Sequence, residues 1–74
     1  MDLNEIRCEI DKIDDELVRL FCQRMHVSAQ IADYKKANNL PIFQPARERV
    51  KLQDVAEKAG PEMANYTRVL YSML

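Results

Sequence analysis

Residues 3–38 read LNEIRCEIDKIDDELVRLFCQRMHVSAQIADYKKAN, a stretch with neither proline nor glycine. Apolar residues recur at Leu3, Ile6, Ile10, Ile13, Leu17, Leu20, Val27, Ile31 and Tyr34. That three-and-four spacing gathers them on one face of an α-helix. Asp2 is placed to cap the N-terminus, Glu5 adds a carboxylate to the first turn, and Lys35 and Lys36 suit the negative C-terminal end. The pattern predicts one helix over about residues 3–38.

Beyond it, Asn38 and Asn39 favour a turn and Pro41 pushes Leu40 out of the helical region, which predicts a loop over 39–44. Pro45 is suited to open a second helix, expected over about 45–59 with Glu48, Leu52, Val55 and Ala59 on one line and Gly60 as its left-handed stop. A third helix is expected from residue 61 to the chain end, with Met63, Tyr66, Leu70 and Met73 as its apolar stripe. The chain finishes on Ser72-Met73-Leu74 without a cap or polar tail, so the expectation is a chain cut inside that helix. The fold class is all-α, with one long and two shorter helices.

A helix of about 35 residues is about 52 Å long, more than a small domain can wrap around. Its stripe therefore calls for a second copy packed against it, an obligate intertwined helical homodimer, or for a partner domain outside the chain. Composition narrows the functions. Eleven basic and twelve acidic residues give a net charge of −1 with no basic block, which argues against nucleic acid and anionic membranes as partners. No apolar run reaches the roughly 18 residues of a membrane span. The acidic start does not resemble the n-region of a signal peptide, so the expected location is cytoplasmic. Cys8 and Cys22 are read as free thiols, buried or partly buried, and they and the lone His26 do not make a metal site. His26 is expected on the solvated surface, and Tyr34, Tyr66 and Tyr71 in the core.

The informative residues are charges lying where an apolar stripe should continue. Arg24 falls within about 40° of Ile10, Ile13, Leu17, Leu20 and Ile31, and Lys35 lies about 20° further round and roughly 16 Å along the axis, with Ser28 and Ile31 between. Arg7 is about 100° away from Arg24 on the same helix, an angle suited to a pocket of the partner subunit. Glu48 interrupts the second helix's line beside Arg47. Such side chains can snorkel at a stripe margin or pair internally, Arg24 with Glu48 for example. Collected in a chain of near-neutral charge, they favour a buried anion site, in which arginine clamps carboxylates bidentately and lysine supplies a compact donor. Periodicity alone supports binding of a small diacid. No nucleophile–base constellation, phosphate loop or pair of acid–base carboxylates is present, so any chemistry must need little covalent or proton-transfer help.

Ile6-Arg7, Ile10-Asp11-Lys12-Ile13-Asp14, Leu17, Leu20 and Arg24 together resemble the first helix of the all-helical chorismate mutases. Ile31-Ala32-Asp33-Tyr34-Lys35, Leu40-Pro41-Ile42 and Pro45-Ala46-Arg47-Glu48-Arg49 look like that family's helix-end lysine, Pro-containing loop and Arg-Glu motif. Residues 3–59 are covered well, and Tyr66 with the apolar positions after it matches the start of the family's third helix.

The resemblance implies an intertwined three-helix dimer that rearranges chorismate to prephenate, in phenylalanine and tyrosine biosynthesis, by a pericyclic reaction without a cofactor or metal. By the same resemblance Arg24 and the partner subunit's Arg7 bind the two carboxylates, Lys35 donates to the ether oxygen, Glu48 takes the ring hydroxyl and Arg47 supports that end of the pocket. Gln44 stands where many relatives carry an acidic residue, and its amide can accept a similar bond. The relatives' third helix continues further and adds a Ser and a Gln or Glu to the pocket, so impaired activity of this chain is one expectation. Fusion to a prephenate-processing domain is another. The same scaffold serves isochorismate pyruvate-lyases, and it could also persist as a non-catalytic helical dimerisation or regulatory module.

Overall fold

The first helix, α1, spans Leu3–Ala37. In a computed structural model that describes residues 2–41 and 44–74, Asp2 caps it: the Glu5 N–H donates to Asp2 Oδ1 over 2.8 Å, and the Ile6 N–H to the Asp2 carbonyl over 3.2 Å. Ile42 and Phe43, inside the loop expected over 39–44, lie outside the described residues, as does Met1. The polar side of α1 carries the i,i+3 pair Arg19–Glu16 at 2.7 Å, both partners exposed, so it adds little stability.

The second helix, α2, is Pro45–Ala59, with Pro at its first position. It stops at Gly60, whose φ of 88° and ψ of 166° belong to a region almost confined to glycine. The third helix, α3, is Ala64–Ser72. It begins three residues later than expected. The Met63 N–H closes a turn on the Gly60 carbonyl over 3.2 Å, and helical bonding starts only where the Thr67 N–H reaches the Met63 carbonyl at 2.9 Å. Gly60 leaves α2 in a non-helical conformation and Pro61 has no N–H, so this turn intervenes before a helix can start. All three elements are helices, and the described residues hold no strand.

The chain divides into two compact units, Met1–Ile42 and Phe43–Leu74. In the second, α2 packs against α3. The core there is Val55 and Ala56, 7% and 2% exposed. On α3 the half-buried positions are Ala64, Thr67 and Tyr71, and Leu74 just beyond it is half-buried too. The expected stripe lies one position off this set, and Tyr66 and Met73 are 73% and 76% exposed. The small side chains of Ala56 and Ala64 suit the close approach of two helices, while the larger Met63, Tyr66, Leu70 and Met73 stay uncovered. Tyr34, also expected in the core, is 64% exposed, and Cys8 and Cys22 are free and exposed rather than buried. The corrections on α1 share a cause. The long stripe of α1 has nothing inside its own helix to pack on, and α1 contains no buried residue.

Candidate active site

On α1 the half-buried residues are Arg24, Ser28, Ala32 and Lys35, spaced four, four and three apart. At about 100° per residue these fall within about 80° of one another, one strip over the last three turns of the helix. Two cations stand at its ends and two small side chains between them. Ser28 and Ala32 are small, so the long stems of Arg24 and Lys35 can lie along the strip. Both residues are engaged rather than free. Arg7 is exposed nearer the N-terminus, about 100° round from Arg24. Among the described residues it makes no ion pair.

The backbone under Lys35 is held by a left-handed cap. Asn39 has φ 56°, the Leu40 N–H donates to the Lys35 carbonyl over 2.8 Å, and the Asn39 N–H donates to the Lys36 carbonyl over 3.4 Å. The Tyr34 carbonyl accepts both the Asn38 N–H at 3.1 Å and Asn38 Nδ2 at 2.9 Å. Two of these bonds are the pair that closes a helix around one left-handed residue. The sequence reading identified Asn38-Asn39 as a turn signal but assigned neither residue a part in fixing the lysine. The signal lay in the spacing, with two asparagines and a Leu-Pro directly after the lysine's turn.

In the second unit the remaining residues gather at the start of α2. Gln44 is the N-cap, its side chain makes no capping bond, and the residue is engaged in another interaction. The Glu48 N–H donates to the Gln44 carbonyl over 3.2 Å, the first bond of the helix. This puts Arg47 and Glu48 in the opening turn or just past it, both exposed. Glu48 is stabilised there by the positive end of the helix, whereas Arg47 is not, which leaves the guanidinium better used on an anion. Among the described residues neither makes an ion pair. No group of three or more His, Cys, Asp or Glu among the described residues could hold a metal ion.

The profile of the family described as chorismate mutase type II matches residues 6–72. The chain belongs to that family. The chorismate mutase type II match covers α1 from Ile6 onward, all of α2 and α3, and every candidate residue from Arg7 to Glu48. Among curated relatives, the T-protein of Haemophilus influenzae is 43% identical over 61 residues, covering 78% of this chain and 16% of that protein. The bifunctional chorismate mutase/prephenate dehydratase of Aquifex aeolicus is 46% identical over 48 residues, 65% of this chain and 13% of the relative. The chorismate mutase of Methanocaldococcus jannaschii is 36% identical over 47 residues, 64% of this chain and 48% of the relative. The chain thus spans less than half the length of each of these relatives. No solved structure matches it at comparable significance.

Proposed function

We propose that this chain is a chorismate mutase module that converts chorismate to prephenate without a cofactor, in the cytoplasm, as an intertwined homodimer. The observation that carries the reading is the half-buried strip Arg24–Ser28–Ala32–Lys35 at one end of a helix belonging to the chorismate mutase type II family. Arg24 binds one carboxylate of the substrate bidentately, and the partner subunit's Arg7 binds the other. Lys35 donates to the ether oxygen, where negative charge grows as that C–O bond breaks. Glu48 accepts from the ring hydroxyl, Gln44 adds a neutral hydrogen bond at that end, and Arg47 supplies positive potential beside them.

The reaction is unimolecular, so the protein's work is to hold an extended diacid in its compact reactive shape and to stabilise the polarised transition state. The Lys35 interaction strengthens as the reaction proceeds, so it lowers the barrier rather than tightening ground-state binding. Dimerisation is supported by the exposed apolar line of α1, where Leu3, Ile6, Ile10, Ile13, Leu17, Leu20 and Ile31 are all exposed. An apolar strip of that length marks an interaction surface. The free thiols Cys8 and Cys22 suit a reducing compartment. Proximity to a prephenate-processing domain belongs to the same reading and is supported by the name of the Aquifex aeolicus relative.

Incubation of the purified protein with chorismate and, separately, isochorismate, with products identified by NMR, tests the assignment. Prephenate from chorismate is expected. Pyruvate released from isochorismate alone would assign the lyase reaction instead, and no product from either would leave a non-catalytic helical module.

A further inference from the structure

We infer that Asn39 is a positioning residue for Lys35, acting through the backbone; the inference rests on the proposed role of Lys35. Lys35 lies in the last turn of α1, where carbonyls lack intrahelical partners and helices fray. Its own carbonyl accepts instead from the Leu40 N–H at 2.8 Å, the shortest of the main-chain bonds closing this helix end. Leu40 can reach back only because the residue before it turns left-handed. Asn39 does so at φ 56°, the one non-glycine residue with positive φ among those described.

Asparagine tolerates this conformation better than most residues, because its short amide can bond locally, and glycine tolerates it without strain. A β-branched residue does not. Pro41 completes the device by restricting Leu40 to extended backbone, so the chain cannot simply continue as helix when residue 39 is changed. Asn38 reinforces it with Nδ2 on the Tyr34 carbonyl at 2.9 Å. The consequence is a lysine whose Cα and Cβ are fixed although it sits within three residues of a helix terminus. A donor matched to a transition state needs that: a misplacement of about 1 Å can cost about a hundredfold in rate.

The test compares Asn39→Val with Asn39→Gly, measuring kcat and KM for chorismate, far-UV circular dichroism, and hydrogen exchange of the Leu40 amide. Asn39→Val is expected to keep its helical signal and to lose Leu40 protection. Its kcat should fall by up to about a hundredfold while KM stays within about twofold, because Lys35 acts chiefly in the transition state. Asn39→Gly is expected to retain kcat and Leu40 protection, which a role for the amide side chain in binding would not permit. Full kcat in folded Asn39→Val, or equal losses in both variants, would overturn the inference. If Asn39→Val does not fold, Asn39→Ala takes its place with the same criteria and a smaller loss. If the unmodified protein turns over no chorismate, the functional reading fails by itself and Leu40 exchange decides the backbone claim: a protected amide in the valine variant overturns it, and an unprotected one supports it.

Discussion

Arg24 and Lys35 lie eleven residues apart on one face of α1 and are the charged side chains of that helix that are half-buried among the described residues. Along most of α1 even isoleucine and leucine stand exposed, Ile13 at 62%. Two cations are therefore better covered than the apolar residues around them. Their long aliphatic stems can lie along the helix while the charged heads stay accessible. That arrangement is compatible with the anion site proposed above.

Lys35→Ala should remove the donor to the ether oxygen. Losing one such preorganised donor costs about 2.7 to 4 kcal/mol of transition-state stabilisation. Turnover of chorismate, followed as loss of its absorbance, should fall by about a hundredfold to a thousandfold. Near-normal kcat would remove Lys35 from the mechanism.

Arg24→Lys keeps the charge and discards the planar fork. A charge-assisted hydrogen bond contributes about 1.5 to 3 kcal/mol, so KM should rise by roughly tenfold to a hundredfold. Steady-state kinetics against chorismate checks this, and an unchanged KM would mean that Arg24 does not clamp a carboxylate.

Ile13→Glu should convert the proposed dimer to a monomer. Sedimentation equilibrium on the unmodified protein is expected to give twice the chain mass of 8.7 kDa, and on the variant the single-chain mass with a lower melting temperature. A monomeric unmodified protein would remove the reason given for the exposed line of α1.

Gly60→Ala probes the connection between α2 and α3. A Cβ at residue 60 would meet no atom within 4 Å, so any cost comes from the backbone at φ 88° alone. A non-glycine residue held in that region costs about 1 to 3 kcal/mol. Chemical denaturation should show a loss of that size, and a neutral result would mean that the connection readily adopts another conformation.

The extents of the helices were legible because their signals are local. Asp2 is the N-cap, Pro45 is the first residue of α2, and Gly60 follows its last. The start of α3 was less legible, since Pro61 is equally suited to the first turn of a helix and to the turn that precedes one, and the choice follows from the conformation of Gly60. The covered face of α3 was misjudged for a different reason. Hydrophobicity ranks Tyr66 and Met73 above Ala64 and Thr67, while close helix packing favours the small side chains. On α1, Arg24 and Lys35 stand out in the sequence as interruptions of a periodic stripe, and both are half-buried. Asn39 does not stand out, because its contribution is a backbone angle and a hydrogen bond made by its neighbour.

The most direct test of the central claim, a site built by two subunits around Arg24, mixes two inactive proteins. Arg7→Ala and Arg24→Ala chains are each expected to be nearly inactive against chorismate. Refolded together in equal amounts, they form mixed dimers in which one of the two sites receives both arginines intact, so about a quarter of all sites should recover full turnover by random pairing. Recovery near that level is the predicted result. No recovery from a mixture shown to contain mixed dimers, or full activity in either variant alone, would contradict the account.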